Sequence, residues 1–168
     1  MEAGAPPGLT GAVFPTVTII AALGCGTMAG VFFAFSAMVV PGLRRATPAE
    51  GVAAMRAINA AVLNPAFLGV FLGTAVASVL AAFGGDPRAW AGAALYLLGG
   101  IVLTAAYHVP RNDELERVAT PEYWARYLRE WVPANHVRAL ASLAASAAFV
   151  LAALHQAGPA PLPSMFEH

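Results

Sequence analysis

Four long stretches of this chain carry no charged side chain. No Asp, Glu, Lys or Arg lies between Glu2 and Arg44, between Arg56 and Asp86, between Arg88 and Arg111, or between Arg138 and Glu167. The hydrocarbon core of a bilayer is about 30 Å thick and takes roughly 20 helical residues to cross, so each stretch is long enough to span it. The pattern predicts spans over about residues 10–40, 57–83, 88–109 and 134–156. The expected fold is all-α: an integral membrane four-helix bundle that takes up residues 1–168 as a single domain, with a short interfacial helix before the last span.

Turn and cap residues punctuate these runs. Pro41 and Gly42 end the first, and Thr47, Pro48 and Glu50 supply an N-cap, a first-turn proline and a capping-box partner for the next helix. Arg56 and Asn59 are expected on that helix as it leads into the second span. Gly84, Gly85, Asp86 and Pro87 predict a tight turn, which makes the second and third spans antiparallel neighbours. Pro110 is expected to stop the third span. Thr120 and Pro121 then open the short helix, whose Trp124, Tyr127, Leu128 and Trp131 share one face at i, i+3, i+4, i+7 spacing. A face so rich in Trp and Tyr suits the membrane interface. Pro133 is expected to end this helix before the fourth span.

At the amino terminus an acidic Glu2 and no basic residue precede the first run, unlike a secretory signal, so that run is expected to be kept as a span. After Gly158, Pro159, Pro161 and Pro163 predict a frayed tail. Gly26 and Gly30 form a small-xxx-small pair, which fits an internal packing seam and leaves a homo-oligomer open.

Composition sharpens the picture. Hydrophobic residues make up 59% of the chain and charged residues 11%, and mean hydropathy is +0.68, whereas soluble domains carry about 25% charged residues. A formal net charge of zero offers no electrostatic footprint for nucleic acid. Cys25 is the only cysteine, which excludes an intramolecular disulfide and paired-cysteine redox chemistry and fits a small packing residue. There is no lysine, and eight arginines flank two of the connections while only Arg88 flanks the other. The positive-inside rule places those two connections in the cytoplasm and both termini outside the cell membrane.

Polar groups gather at the ends of the spans on that arginine-rich side: Asn59 and Asn64, then Tyr107, His108 and Asn112, then Asn135, His136 and Arg138. An unpaired amide or charge in hydrocarbon costs several kcal/mol, so these groups must face one another, water or the interface. A polar pocket is expected there. His108 and His136 with Glu114 or Glu116 could offer metal ligands, but no H-x-x-x-H, E-x-x-H or C-x-x-C spacing supports a metal site. Phosphate loops, a serine nucleophile elbow and heme-attachment motifs are absent.

Four segments read together resemble a known family: GVFFAFSAMVVPGLRR, AMRAINAAVLNPAF, HVPRNDEL and WVPANHVRALAS. They resemble the DUF1772 membrane proteins, which include the anthrone oxygenases of polyketide pathways, over most of residues 24–145. The most specific matches are P-x-N-x-x-L at Pro110, Asn112 and Leu115 and N-x-x-R at Asn135 and Arg138. Many members have Asn where this chain has His108, and Trp directly before the N-x-x-R asparagine, whereas Trp131 stands four residues ahead of Asn135.

The resemblance implies an oxygenase that turns an anthrone-type aromatic into a quinone with O2, with no cofactor and with the lipid bilayer as its surroundings. Such chemistry needs a base and oxyanion partners, and this chain offers His108 as base and Asn112 and Arg138 as oxyanion partners. Asn59 and Asn135 would orient the substrate, and Phe35, Phe67 and Trp131, with Phe32, would line an aromatic slot. The competing classes are a noncatalytic membrane scaffold and a small-molecule transporter. No internal repeat and no acidic residue within a span favours the latter.

Overall fold

The computed structural model describes residues 9–158, and the described chain is helical with no strand. The acidic amino terminus and the prolines after Gly158 lie outside the described residues. Helix α1 runs over Leu9–Ala34, passes through a π-helical turn at Phe35–Val39 and closes with Val40–Leu43. Helix α2 is Pro48–Ala61, α3 is Pro65–Ala82, α4 is Pro87–Val118 and α5 is Pro121–Gln156. All but α2 are long and apolar enough to cross a bilayer, the build of a multi-pass membrane protein. Their outer surfaces expose Leu23, Phe33, Leu80, Leu98, Leu140 and Leu154, as lipid contact requires.

Four helices begin alike, with a capping side chain followed by proline at the first helical position. Thr47 and Glu50 complete a reciprocal capping box, and Asn64, Asp86 and Thr120 accept hydrogen bonds from Phe67, Arg88 and Tyr123 backbone N–H groups. Cap oxygens satisfy orphan N–H groups, and proline there gives up a donor that has no partner anyway. The Asn64–Pro65 pair corrects the expected second span of residues 57–83. It breaks the chain at Val62–Asn64, so the helix that carries Arg56 and Asn59, as expected, is separate from the span, which starts only at Pro65.

Two prolines do not act as expected. Helix α4 continues through Pro110, although the third span was expected to stop there. It is π-helical over Leu97–Val102 and Thr104–His108, and the Val109 N–H reaches back to the Thr104 carbonyl. A wider turn relieves the clash of a proline ring with the carbonyl below it, which is how an interior proline is tolerated. Helix α5 likewise continues through Pro133, so residues 121–131 are not a separate interfacial helix but its opening turns. One buried stripe, Trp124, Tyr127, Leu128, Trp131, Asn135, Arg138, Ser142, Ala145, Phe149 and Ala152, runs unbroken past Pro133, which faces outward. Packing on both sides of the proline outweighs an interior penalty of about 3 kcal/mol. At about 1.5 Å per residue, α5 with its 36 residues is roughly 54 Å long, well beyond a 30 Å core.

Two clusters of buried side chains hold the bundle. Near the Gly84–Pro87 turn, Ala21, Cys25 and Met28 of α1 meet Ala77 and Ala81 of α3, Ala93 and Tyr96 of α4, and Phe149 of α5. Cys25 is fully buried beside the Ser78 hydroxyl, a packing role. At the other end, Val40, Val52, Met55 and Leu115 pack around Tyr123, Trp124, Tyr127, Leu128 and Trp131. Gly26 faces Ser146 of the same chain, whereas a side chain at Gly30 would meet open space, so only half of the small-residue pair lies on an internal seam.

Candidate functional site

Between the two clusters lies a cavity of about 590 Å³, bounded by α1, α2, α3, α4 and α5. That volume falls in the roughly 300–1,000 Å³ range of small-molecule sites. Its wall is mostly apolar and includes five aromatic rings. Phe67 and Phe71 stack at 5.9 Å, Phe32 meets Phe71 edge-on at 6.5 Å, and Phe35 lies 6.0 Å from Trp131. The Phe67, Phe71 and Phe32 rings, with Phe35 and Trp131, make a lining suited to a flat aromatic ligand.

Arg138 is the one charged side chain buried deep in this wall. It is 8% exposed, and among the described residues no carboxylate lies within ion-pair distance of it. Neutral groups hold it instead. Its Nε and Nη2 donate to Asn135 Oδ1 at 3.2 and 2.8 Å, and its Nη1 donates to Thr104 Oγ1 at 3.0 Å. The guanidinium carbon sits 4.0 Å from the Phe32 ring centre and 5.6 Å from that of Trp131. A guanidinium has five N–H groups, so about two remain free for a ligand. Burying a lone cation is costly unless something anionic or strongly accepting completes it.

Asn135 is fully buried and does not reach the cavity. Its Nδ2 donates to the Phe32 carbonyl and to Ser36 Oγ, both at 2.7 Å, while its carbonyl oxygen receives Arg138. It fixes the guanidinium from behind, tying α5 to α1. Thr104 does the same from α4, its own hydroxyl donating to the Gly100 carbonyl at 2.6 Å. Ser36 and Thr104 escape sequence reading, because a lone hydroxyl in an apolar run normally satisfies itself on its own helix. Their only signal is that each lies on the same end as the asparagines and arginines.

His108 lies on the same wall, 1% exposed, its ring 5.1 Å from Trp131 and nearly perpendicular to it. Trp131 thus touches both His108 and Arg138. Neither His108 nitrogen makes a hydrogen bond of normal geometry, although the Ala134 carbonyl is close by, and Trp131 Nε1 is also unpaired. Asn112 lines the cavity and accepts a 2.8 Å hydrogen bond from the Tyr127 hydroxyl. Asn59, from α2, adjoins the same hydroxyl and keeps an unpaired Nδ2. The structure therefore brings His108, Asn112, Arg138, Asn59, Phe35, Phe67 and Trp131 to one cavity and leaves Asn135 behind it.

His136 is exposed on the outer face of α5, away from His108. Among the described residues no three His, Cys, Asp or Glu side chains converge as metal ligands would. Glu116 is engaged elsewhere: it forms a two-point ion pair with Arg56 at the rim of the cavity, with Arg56 Nε to Glu116 Oε2 at 2.7 Å.

No curated protein and no solved structure shows significant similarity to the chain. A family model described as anthrone oxygenase does match, over residues 54–148. That segment runs from the second half of α2 into α5 and contains Asn59, His108, Asn112, Trp131, Asn135 and Arg138. It covers more than half of the 168 residues, and the chain therefore belongs to the anthrone oxygenase family.

Proposed function

We propose that the protein is a membrane-embedded oxygenase that oxidises an anthrone-type polycyclic aromatic to the quinone with O2, without added flavin, nicotinamide or metal. Family membership supports the class of reaction. The observation that carries the reading to this chain's residues is Arg138, a buried cation with no carboxylate within ion-pair distance, facing a ring-lined cavity beside the His108 imidazole.

The chemistry needs little more. An anthrone's methylene carbon loses a proton readily because the resulting anion is an aromatic phenolate. His108 takes that proton, and Arg138 holds the oxygen on which the negative charge collects, with Asn112 and Asn59 as further polar partners. The electron-rich carbon then bonds to O2. The peroxide oxygen regains a proton, and loss of water with the remaining methylene hydrogen leaves the second carbonyl. One oxygen atom enters the product and the other leaves as water, so anthrone plus O2 gives anthraquinone plus water. Phe32, Phe35, Phe67, Phe71 and Trp131 keep the flat anion away from bulk water, where it would oxidise unselectively.

The test is oxygen uptake and quinone absorbance by the purified protein in lipid nanodiscs with several anthrones. A rate no greater than spontaneous oxidation for all of them overturns the proposal. Stoichiometric metal lost together with activity on chelation would overturn its metal-free form. We also propose that the arginine-rich connections face the cytoplasm and both termini lie outside the cell membrane, on the eight-to-one distribution of arginines. Labelling of introduced cysteines near Ala46 and Ala119 from outside intact cells would reverse that orientation.

A further inference from the structure

The cavity has an open side, and its position says what enters. Helices α3 and α4 are joined by the tight Gly84–Pro87 turn and pack together beside it, with that packing concentrated on Pro87–Tyr96 of α4. Farther from the turn the first two turns of α3 and the π-helical stretch of α4 separate. Leu68 and Leu72 of α3 and Ile101, Ala105 and Val109 of α4 border the gap, and Leu63 from the break between α2 and α3 stands at its end. All six line the cavity, yet Leu63, Leu72 and Val109 are 70%, 51% and 44% exposed. A residue that is both cavity wall and outer surface marks an opening, and no polar side chain stands among these six; the polar residues that meet the same test, Asp113 and Glu116, stand at the α2 end, where Glu116 pairs with Arg56.

The doorway opens to lipid rather than water. Helix α3 has 18 residues, about 27 Å at 1.5 Å each, slightly less than the roughly 30 Å hydrocarbon core. A helix that short can cross only if its whole length lies in hydrocarbon, which puts Leu68 and Leu72 inside the membrane. The cavity end nearer the charged residues is covered by α2. That helix is clamped to α4 by the Arg56–Glu116 pair and to α5 by Trp124, whose ring lies against Gly51.

We propose that the ligand reaches the cavity from within the bilayer, through the slot between α3 and α4, as an uncharged polycyclic aromatic that ionises only after arriving beside Arg138. A charged ligand would have to cross hydrocarbon unpaired, at a cost of several kcal/mol, whereas a neutral tricycle partitions there freely. The chemical nature of the ligand rests on the proposed function, but the route does not.

The experiment uses the full-length protein in liposomes and a membrane-partitioning, uncharged aryl diazirine, with labelled residues mapped by mass spectrometry. In the parent protein the reagent should label Phe67, Ile101 and Thr104 inside the cavity as well as lipid-facing Leu140 and Leu154, and anthracene should suppress only the cavity labels. Ala105→Trp, which fills the slot, should abolish the cavity labels and spare Leu140 and Leu154. If Ala105→Trp loses thermal stability, Leu68→Trp takes its place. With 1,8-dihydroxyanthrone as substrate, the slot-filling variant should lower kcat/KM about tenfold, and a sulfonated anthrone should not be turned over.

Unchanged cavity labelling in both slot-filling variants overturns the route. So does equal labelling of the cavity by a sulfonated, water-confined diazirine. Loss of a dimer in Ala105→Trp, with the parent's Ile101 unlabelled because a second copy covers it, would show a subunit interface and overturn the route. Should the parent oxidise no anthrone at all, the proposed function fails, while the diazirine pattern still decides the route.

Discussion

The two ends of the bundle are built from opposite materials. In the cluster beside the Gly84–Pro87 turn, nine of the fifteen buried hydrophobic residues are alanine. In the cluster around α2, none of the nine is alanine and four are Tyr or Trp. Small side chains let helix backbones approach until van der Waals contact is continuous, which is the main attraction between helices in lipid. Gly99 shows how close that approach becomes, since a Cβ there would lie 2.2 Å from Ala141 Cβ. Large rings and polar groups hold the backbones apart, and the space left between the two regimes is the cavity. The tight end holds the helices together, and the aromatic end is where we propose the chemistry takes place.

If that division is right, substitutions at the aromatic end should damage turnover and those at the alanine end should damage stability. The largest effect should come from Arg138→Gln and His108→Ala, each lowering kcat for anthrone oxidation about 100-fold to 1,000-fold, the usual loss for one preorganised group. Thermal unfolding of the detergent-solubilised protein should change far less than activity. Both variants remaining stable and fully active would reduce the polar wall to packing and break the comparison.

At the alanine end, Gly99→Ala should destabilise the bundle by about 1–3 kcal/mol through overpacking, measured by denaturing-detergent titration. Gly30→Ala is its partner measurement, because nothing lies within 4 Å of a Cβ there, and it should leave stability unchanged or slightly raised. Equal costs at the two glycines would mean that close approach is not what holds this end. Gly51→Ala should fall between them, at about 1 kcal/mol. Its Cβ would press on the Trp124 ring at 2.9 Å, and a ring can tilt where the Ala141 Cβ, fixed to its backbone, cannot. Greater access of an aqueous quencher to tryptophan fluorescence would register the tilt.

The smallest effect concerns the start of α2. The Thr47 side-chain hydroxyl first, and its backbone N–H second, hold the Glu50 carboxylate below the usual glutamate range. A carboxylate with a lowered folded-state pKa contributes stability that is fully present above its ordinary value and is lost as pH falls through the lowered one. The pH-dependent part of α2's amide hydrogen-exchange protection should therefore weaken on acidification below the ordinary glutamate range, and Glu50→Gln should flatten it. A weakening on the alkaline side instead would contradict the capping box.

The membrane-spanning character of α1, α3, α4 and α5, the capping box of α2, the turn before α4 and the start of α5 at Thr120 and Pro121 could be read residue by residue. Transfer of a side chain into hydrocarbon and the pairing of a helix-end N–H are local events, decided by the residue and its immediate neighbours. Asn64–Pro65 carried the same local signal as Thr47–Pro48, and reading through it merged α2 with α3. Pro110 and Pro133 obeyed the local rule for helix stops only until tertiary packing overruled it, because the stripe from Trp124 to Ala152 gains more from continuity than one proline costs. Seven of the eight candidate site residues line one cavity, and for His108, Asn112, Arg138 and Asn59 the reason is that polar groups at the ends of spans have nowhere else to go. That Asn135 stands behind Arg138, and that Ser36 and Thr104 from two other helices complete its cradle, depends on which helix faces meet. Such meetings join residues 34 and 99 positions apart, and they are set by how alanine-lined backbones close at one end and aromatic ones stay open at the other, a property of the assembled bundle and of no single segment.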